Sequence, residues 1–195
     1  MKRLCVYCGS NYGKSEAYRE AAHRAGAILA EAGITLVYGG GKVGLMGAVA
    51  DAVLSSGGEV IGVIPQSLAA RELAHYGVTK LIVVDSMHQR KQTMANLSDG
   101  FVALPGGIGT MDELFEIFTW AQIGIHEKPF GVLNVNGYYA NLFQFLEKMV
   151  EEGFMRQGHL DSLMLEEDIS ILISRMRSYS PVIVNKWSDE DRPKP

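Results

Sequence analysis

Two hydrophobic patterns alternate along this chain. Short, near-continuous apolar runs fall at residues 4–8, 35–38, 59–64, 81–84, 100–104 and 130–135. Longer stretches with helical spacing lie between and after them, at residues 15–32, 44–56, 86–98, 109–124, 138–152 and 167–178. The short runs read as strands and the longer stretches as helices, the first closed by Gly33. Strands that are apolar throughout, rather than at every second position, are covered on both faces. The alternation therefore predicts an α/β fold: a doubly wound, Rossmann-like parallel sheet with helices on both faces. One domain is expected over residues 1–187, with a polar, frayed tail at residues 188–195. Sheets of this kind bind ligands beyond the carboxyl ends of their strands. Glycines gather at those ends, at Gly9, at residues 39–41 and at residues 106–109.

Composition narrows the function. The 195 residues are 47% hydrophobic and 21% charged, enough for a real core, and 22 are glycine. The net charge of -4 and the lack of a basic stripe argue against nucleic acid as a partner. No apolar run approaches the length of a membrane span. Met1-Lys2-Arg3 leads straight into a strand rather than into a signal-peptide core, so a soluble, cytoplasmic protein is expected. Cys5-x-x-Cys8 has redox spacing, but it begins inside a strand, where opposite parity points the two thiols to opposite faces. Two buried thiols are the simpler reading.

Three motifs carry chemistry. Gly39-Gly40-Gly41-Lys42-Val43-Gly44 fits G-x-G-x-x-G between a strand and a helix. A dinucleotide site needs an acidic residue at the end of the next strand, and Glu59 sits at the wrong end. The loop therefore implies close approach of a ligand to the backbone and no more. Pro105-Gly106-Gly107-Ile108-Gly109-Thr110 joins a strand to a helix start, where free N–H groups and the helix dipole favour an anion. Thr110-x-x-Glu113 has the form of a capping box, the structural alternative to a catalytic Glu113. The third motif opens the helix after the fourth strand. There Arg90 shares a face with Met87 and Met94, and an inward arginine needs an anionic partner. Lys91 is adjacent, and Glu72 lies in a loop able to reach the same edge. The five histidines show no metal-ligand spacing, and no serine nucleophile elbow is present. Neither a catalytic metal nor a cofactor is expected.

Met87-His88-x-Arg90-Lys91 together with Pro105-Gly106-Gly107-x-Gly109-Thr110-x-x-Glu113 resembles the LOG ("Lonely Guy") family of cytokinin riboside 5′-monophosphate phosphoribohydrolases, long labelled possible lysine decarboxylases. The likeness covers most of the chain. It takes in Cys8-Gly9-Ser10, Tyr38-Gly39-Gly40-Gly41, Gly44-Leu45-Met46-Gly47, Ser98-Asp99, Trp120-Ala121-Gln122 and Lys128-Pro129. It implies cleavage of the N-glycosidic bond of AMP or an N6-substituted AMP, giving a free base and ribose 5-phosphate. It implies Arg90 and Glu113 as the catalytic pair. Substrate contacts fall on Glu72, Lys91, Gly106, Gly107, Ile108, Gly109, Thr110, Met111, Asp112 and Thr119. The loops add Gly9, Ser10, Gly40, Gly41 and Gly44, and Met87 opens the arginine helix. Asn11, Ile108 and Asp112 depart from residues common in the family and bear on base preference. A homodimer is also implied.

The chemistry agrees with these residues. Cleavage of an N-glycoside passes through an oxocarbenium-like ribose. A carboxylate can stabilise that cation and orient water, and a cation can offset charge on the leaving base. Phosphate is a remote handle that fixes the sugar. A decarboxylase using pyridoxal phosphate needs a Schiff-base lysine with partners; Lys42, Lys91 and Lys128 come without that constellation. A second class stays open: a non-catalytic nucleotide or pterin carrier, like the molybdenum-cofactor carriers, could use the same glycine loops. Such a carrier has no need of Arg90 and Glu113 together.

Overall fold

All six apolar runs form strands, and a seventh joins them. The structure, a computed structural model, describes residues 1–70 and 73–181. The strands are β1 (Arg3–Tyr7), β2 (Thr35–Tyr38), β3 (Val60–Pro65), β4 (Lys80–Val84), β5 (Gly100–Ala103), β6 (Phe130–Leu133) and β7 (Leu163–Glu166). The helices are α1 (Glu16–Glu31), α2 (Gly44–Ser55), α3 (Gln66–Ala69), α4 (Met87–Leu97), α5 (Ile108–Gln122), α6 (Ala140–Glu151), α7 (Gln157–Ser162) and α8 (Ile169–Arg177). β7, α3 and α7 were not expected: each is four to six residues long, too short to show a period of its own. The expected tail at residues 188–195 lies outside the described residues, as does Glu72.

The sheet order is β4-β3-β2-β1-β5-β6-β7, and every pair is parallel. The chain winds outward from β1 to β4, then crosses to β5 on the other side of β1. The direction of winding therefore reverses between β1 and β5, which opens a crevice at their carboxyl ends. Gly9 follows β1 and Pro105-Gly106 follows β5, so two of the glycine loops meet at this point.

Each face of the sheet has its own core. One cluster joins β-strand residues such as Leu4, Val6 and Leu36 to Leu29 of α1, Val49 of α2 and Leu172 of α8. The other joins Cys5, Val37 and Phe101 to Met94 of α4, Leu114 of α5 and Leu146 of α6. Cys8 belongs to the first cluster and Cys5 to the second, so the two thiols do face opposite sides of the sheet. Burial pushes the Cys5 thiol up to about 12 and Cys8 likewise upward, the reverse of an activated redox pair. Among the described residues no helix is long and apolar enough to cross a membrane.

The segment after β6 is tied to the crevice by one buried hydroxyl. Tyr139 donates its O–H to Leu104 O at 2.7 Å, and its N–H is bonded to Asn134 Oδ1 at 2.8 Å. Tyr139 is 1% exposed, so water cannot replace a lost partner. Tyr139→Phe is expected to destabilise the protein by about 1–3 kcal/mol in urea unfolding. No change in midpoint would show that the bond carries no net stability.

Candidate active site

Backbone hydrogen bonds lace the glycine loops together. Gly9 N–H donates to Pro105 O at 3.1 Å, and Leu45 N–H donates to Gly9 O at 3.0 Å. Gly44 has φ +60°, and a Cβ there would lie 2.2 Å from the carbonyl carbon of Ser10. A residue without a side chain is what lets α2 start against the Ser10-Asn11 turn. The loop after β2 is held from the other side: Lys42 N–H donates to Leu73 O and His75 N–H to Gly40 O, both at 2.9 Å.

Gly107 is the N-cap of α5, so Thr110 is the third residue of the helix and cannot cap it. The capping-box reading of Thr110 and Glu113 is therefore corrected: the helix begins earlier than that pattern implies. A related cap opens α4, with Ser86 as its N-cap. Ser86 Oγ accepts from Gln89 N–H at 3.1 Å, and Gln89 Oε1 accepts from Asp85 N–H at 2.9 Å. That start sets the rotation of α4 and turns Arg90 inward.

Arg90 is 8% exposed and Glu113 9%. All three guanidinium nitrogens are used. Nε donates to Val63 O at 3.1 Å, one Nη to Gly39 O at 3.2 Å and the other to Glu113 Oε1 at 3.0 Å. The expected anionic partner of Arg90 is thus Glu113 itself. Burial raises the Glu113 carboxyl above its usual value, against the opposing pull of Arg90. Gly39 makes this packing possible, because a Cβ there would sit 1.8 Å from an Arg90 nitrogen. Beside the pair, Lys91 is not a solvated charge: its ammonium bonds Glu116 at 3.0 Å and Asp112 at 3.2 Å. Burial opposes its charge, but those two carboxylates carry its pKa above the usual value.

A family profile described as "Possible lysine decarboxylase" matches residues 46–176. A probable cytokinin riboside 5′-monophosphate phosphoribohydrolase of Oryza sativa subsp. japonica is 48% identical over 194 residues, covering 97% of this chain and 80% of that protein. This chain belongs to the LOG family. A cytokinin riboside 5′-monophosphate phosphoribohydrolase of Arabidopsis thaliana is likewise 48% identical over 180 residues, covering 92% of this chain and 84% of that one. Among solved structures, the molybdenum cofactor binding protein of Rippkaea orientalis matches with TM-score 0.69 at 20% identity, over 91% of this chain and 97% of that chain. The molybdenum cofactor carrier protein of Chlamydomonas reinhardtii matches with TM-score 0.67 at 20% identity, over 91% and 96%. These two share the fold with this LOG-family chain.

Eight of the residues expected to touch substrate line one or other of two concavities, and Arg90 and Glu113 line neither of these two. Gly9, Ser10, Gly106 and Gly107 line a cavity of about 290 Å³ that also includes Tyr12, Tyr18 and Tyr138. Ile108, Met111, Asp112 and Thr119 line a groove of about 370 Å³ on the outer face of α5, with Glu116 and Trp120. Thr110, Gly40 and Gly41 are buried, Gly40 against Val63 and Ile64 and Gly41 against Met46. Met87 is exposed at the start of α4 rather than packed with Met94. Gly39, Glu116 and Tyr138 are the additions the structure makes. Gly39 stood inside a recognised glycine cluster, but its partner, 51 residues away, could not be read from spacing. Among the described residues no cluster of His, Cys, Asp or Glu is placed to hold a metal ion.

Gly39→Ala should push the Arg90 guanidinium off its partners and leave Glu113 buried and unpaired, a loss of about 3 kcal/mol. Gly107→Ala, whose Cβ meets open space, should cost less than about 1 kcal/mol. Equal unfolding midpoints for the two variants would mean that Arg90 can move away without penalty.

Proposed function

We propose that this chain hydrolyses the N-glycosidic bond of adenosine 5′-monophosphates, plain or N6-substituted, to a free base and ribose 5-phosphate. The supporting observation is the buried Arg90–Glu113 pair beside an anion-binding loop, in a chain 48% identical to a named phosphoribohydrolase along 97% of its length. The α5 N-terminus offers unpaired N–H groups for the phosphate, and Gly107 and Gly109 leave open space around them. The phosphate anchors the sugar, so that C1′ is presented to Glu113. Ionised Glu113 stabilises the positive charge that develops on the ribose and takes a proton from the attacking water. The water oxygen bonds to C1′ as the C1′–N bond breaks, and the electron pair leaves with the base. That base is then protonated, by Glu113 or by solvent. Arg90 keeps the carboxylate ionised in a buried site and offsets negative charge on the departing base.

Two other readings fare worse. Pyridoxal phosphate chemistry needs a lysine whose amine is readily neutral, and the two carboxylates on Lys91 favour its charged form. Lys128 Nζ is bonded to Ala95 O at 2.8 Å beneath α4. These lysines do not fit that cofactor. A molybdenum-cofactor carrier shares the fold at 20% identity, and carriage alone gives the Arg90–Glu113 pair no task.

The protein is proposed to act in the cytoplasm as a homodimer. The outer groove of α5 is a surface that a second copy could cover, since it holds expected substrate contacts beside Ile108, which is 86% exposed.

The test is adenine and ribose 5-phosphate release from AMP and isopentenyl-AMP. Glu113→Gln can still accept the Arg90 hydrogen bond but cannot take a proton from water, and its folding is checked by circular dichroism because Arg90 loses its counter-charge. Its turnover should fall by at least about 100-fold. Equal release from both proteins would make Glu113 structural. Binding of AMP without release by the wild type would favour the carrier.

A further inference from the structure

We infer that Tyr138 is a positioning residue for the phosphate loop, holding the peptide between Gly106 and Gly107 in its anion-binding orientation. The inference rests on the phosphoribohydrolase reading and deepens it. Tyr138 donates its O–H to Gly106 O at 2.6 Å, across 32 residues of sequence. That carbonyl belongs to a peptide with glycine on both sides, so no Cβ opposes its rotation. In a trans peptide the C=O and the following N–H point in opposite directions. Holding the Gly106 oxygen toward Tyr138 therefore aims the Gly107 N–H away from it. Gly107 is the N-cap of α5, beside the free N–H groups of the first turn. A turned peptide would place a carbonyl oxygen where a donor belongs and repel a phosphate. Crowding fixes only one end of this unit: a Cβ on Gly106 would lie 2.1 Å from Thr110 Oγ1, whereas Gly107 has open space.

Burial does not account for the bond. Tyr138 is 43% exposed, and water could satisfy its hydroxyl. Neighbouring Tyr139 is the contrast, a buried tyrosine whose O–H has no such alternative. The chain nonetheless adopts an uncommon backbone to present Tyr138. Asn136 has φ +52°, the only non-glycine residue with positive φ among those described, and Gly137 follows at +69°. Left-handed backbone at a non-glycine residue persists where the surroundings hold it, and asparagine bears it best. Here the surroundings are Asn134 on the Tyr139 N–H and the Val135 carbonyl on the Tyr138 N–H. The ring itself is wedged edge-on between Tyr18, 5.6 Å away, and Tyr139, 5.0 Å away. Tyr18 and Tyr138 line the cavity that Gly9, Ser10, Gly106 and Gly107 share.

Tyr138→Phe keeps the ring contacts and removes only the hydroxyl. Calorimetry with ribose 5-phosphate should show affinity about tenfold weaker than wild type. With AMP, KM should rise by a similar factor while kcat changes less than about threefold, the signature of lost substrate binding. The melting temperature should stay within about 2 °C of wild type, unlike that of Tyr139→Phe. Ribose 5-phosphate affinity within twofold of wild type would overturn the inference, as would a loss that appears only together with a lowered melting temperature. A wild type that fails to bind ribose 5-phosphate overturns it too. If the wild type binds ribose 5-phosphate but releases no adenine from AMP, the hydrolase reading fails, while the binding comparison still decides the role of Tyr138.

Discussion

A buried guanidinium and a buried carboxylate, 3.0 Å apart, set the terms for everything around them. Removing two charges from water costs several kcal/mol for each, and their attraction offsets this only if the remaining hydrogen-bonding groups also find partners. Arg90 meets that condition through the carbonyls of Val63 and Gly39. Those carbonyls come from the ends of β3 and β2, so one side chain ties two strand ends to α5 through Glu113. A pair of this kind is weak evidence for stability. A hydrophobic pair of like volume would do as well in a core.

The sheet explains why the pair sits at the carboxyl ends of the strands. Winding reverses between β1 and β5, and the loops after these two strands are bonded to each other through Gly9 and Pro105. The helix after β5 then begins at the crevice with its dipole and free N–H groups facing the opening. α4 enters from the other side, its start set by Ser86 and Gln89. The glycine loop and the carboxylate thus arrive together on the connection from β5 into α5, and the arginine arrives on α4.

Most of the architecture is legible in the sequence because it depends on pattern. Apolar runs buried on both faces identify the strands of a parallel sheet, and glycine clusters mark their carboxyl ends. β7 escapes because a four-residue edge strand between two short helices leaves no period to detect. The site is legible at the level of motifs. Arg90, Glu113 and the glycine loop are recognisable by type and spacing, whereas their mutual geometry is not. The Thr110-x-x-Glu113 pattern shows the limit. By spacing it is a capping box, but a helix that starts at Ile108 frees Glu113 to meet Arg90. Tyr138 is invisible for the same reason: its partner is a carbonyl 32 residues away, and carbonyls carry no sequence signal.

The central claim is that Glu113 works as an ionised base in a buried site. Its carboxyl is raised above the ordinary value of 4.5, chiefly by burial. Below its pKa the group is protonated and cannot take a proton from water, so activity must fall as pH falls through that value. The decisive measurement is kcat at saturating AMP against pH, on wild type and Glu113→Gln, so that ionisation of free AMP does not enter. The account predicts an acid limb in the wild type centred above pH 4.5, and a residual rate in the variant that lacks this limb. The same acid limb in both proteins would contradict it.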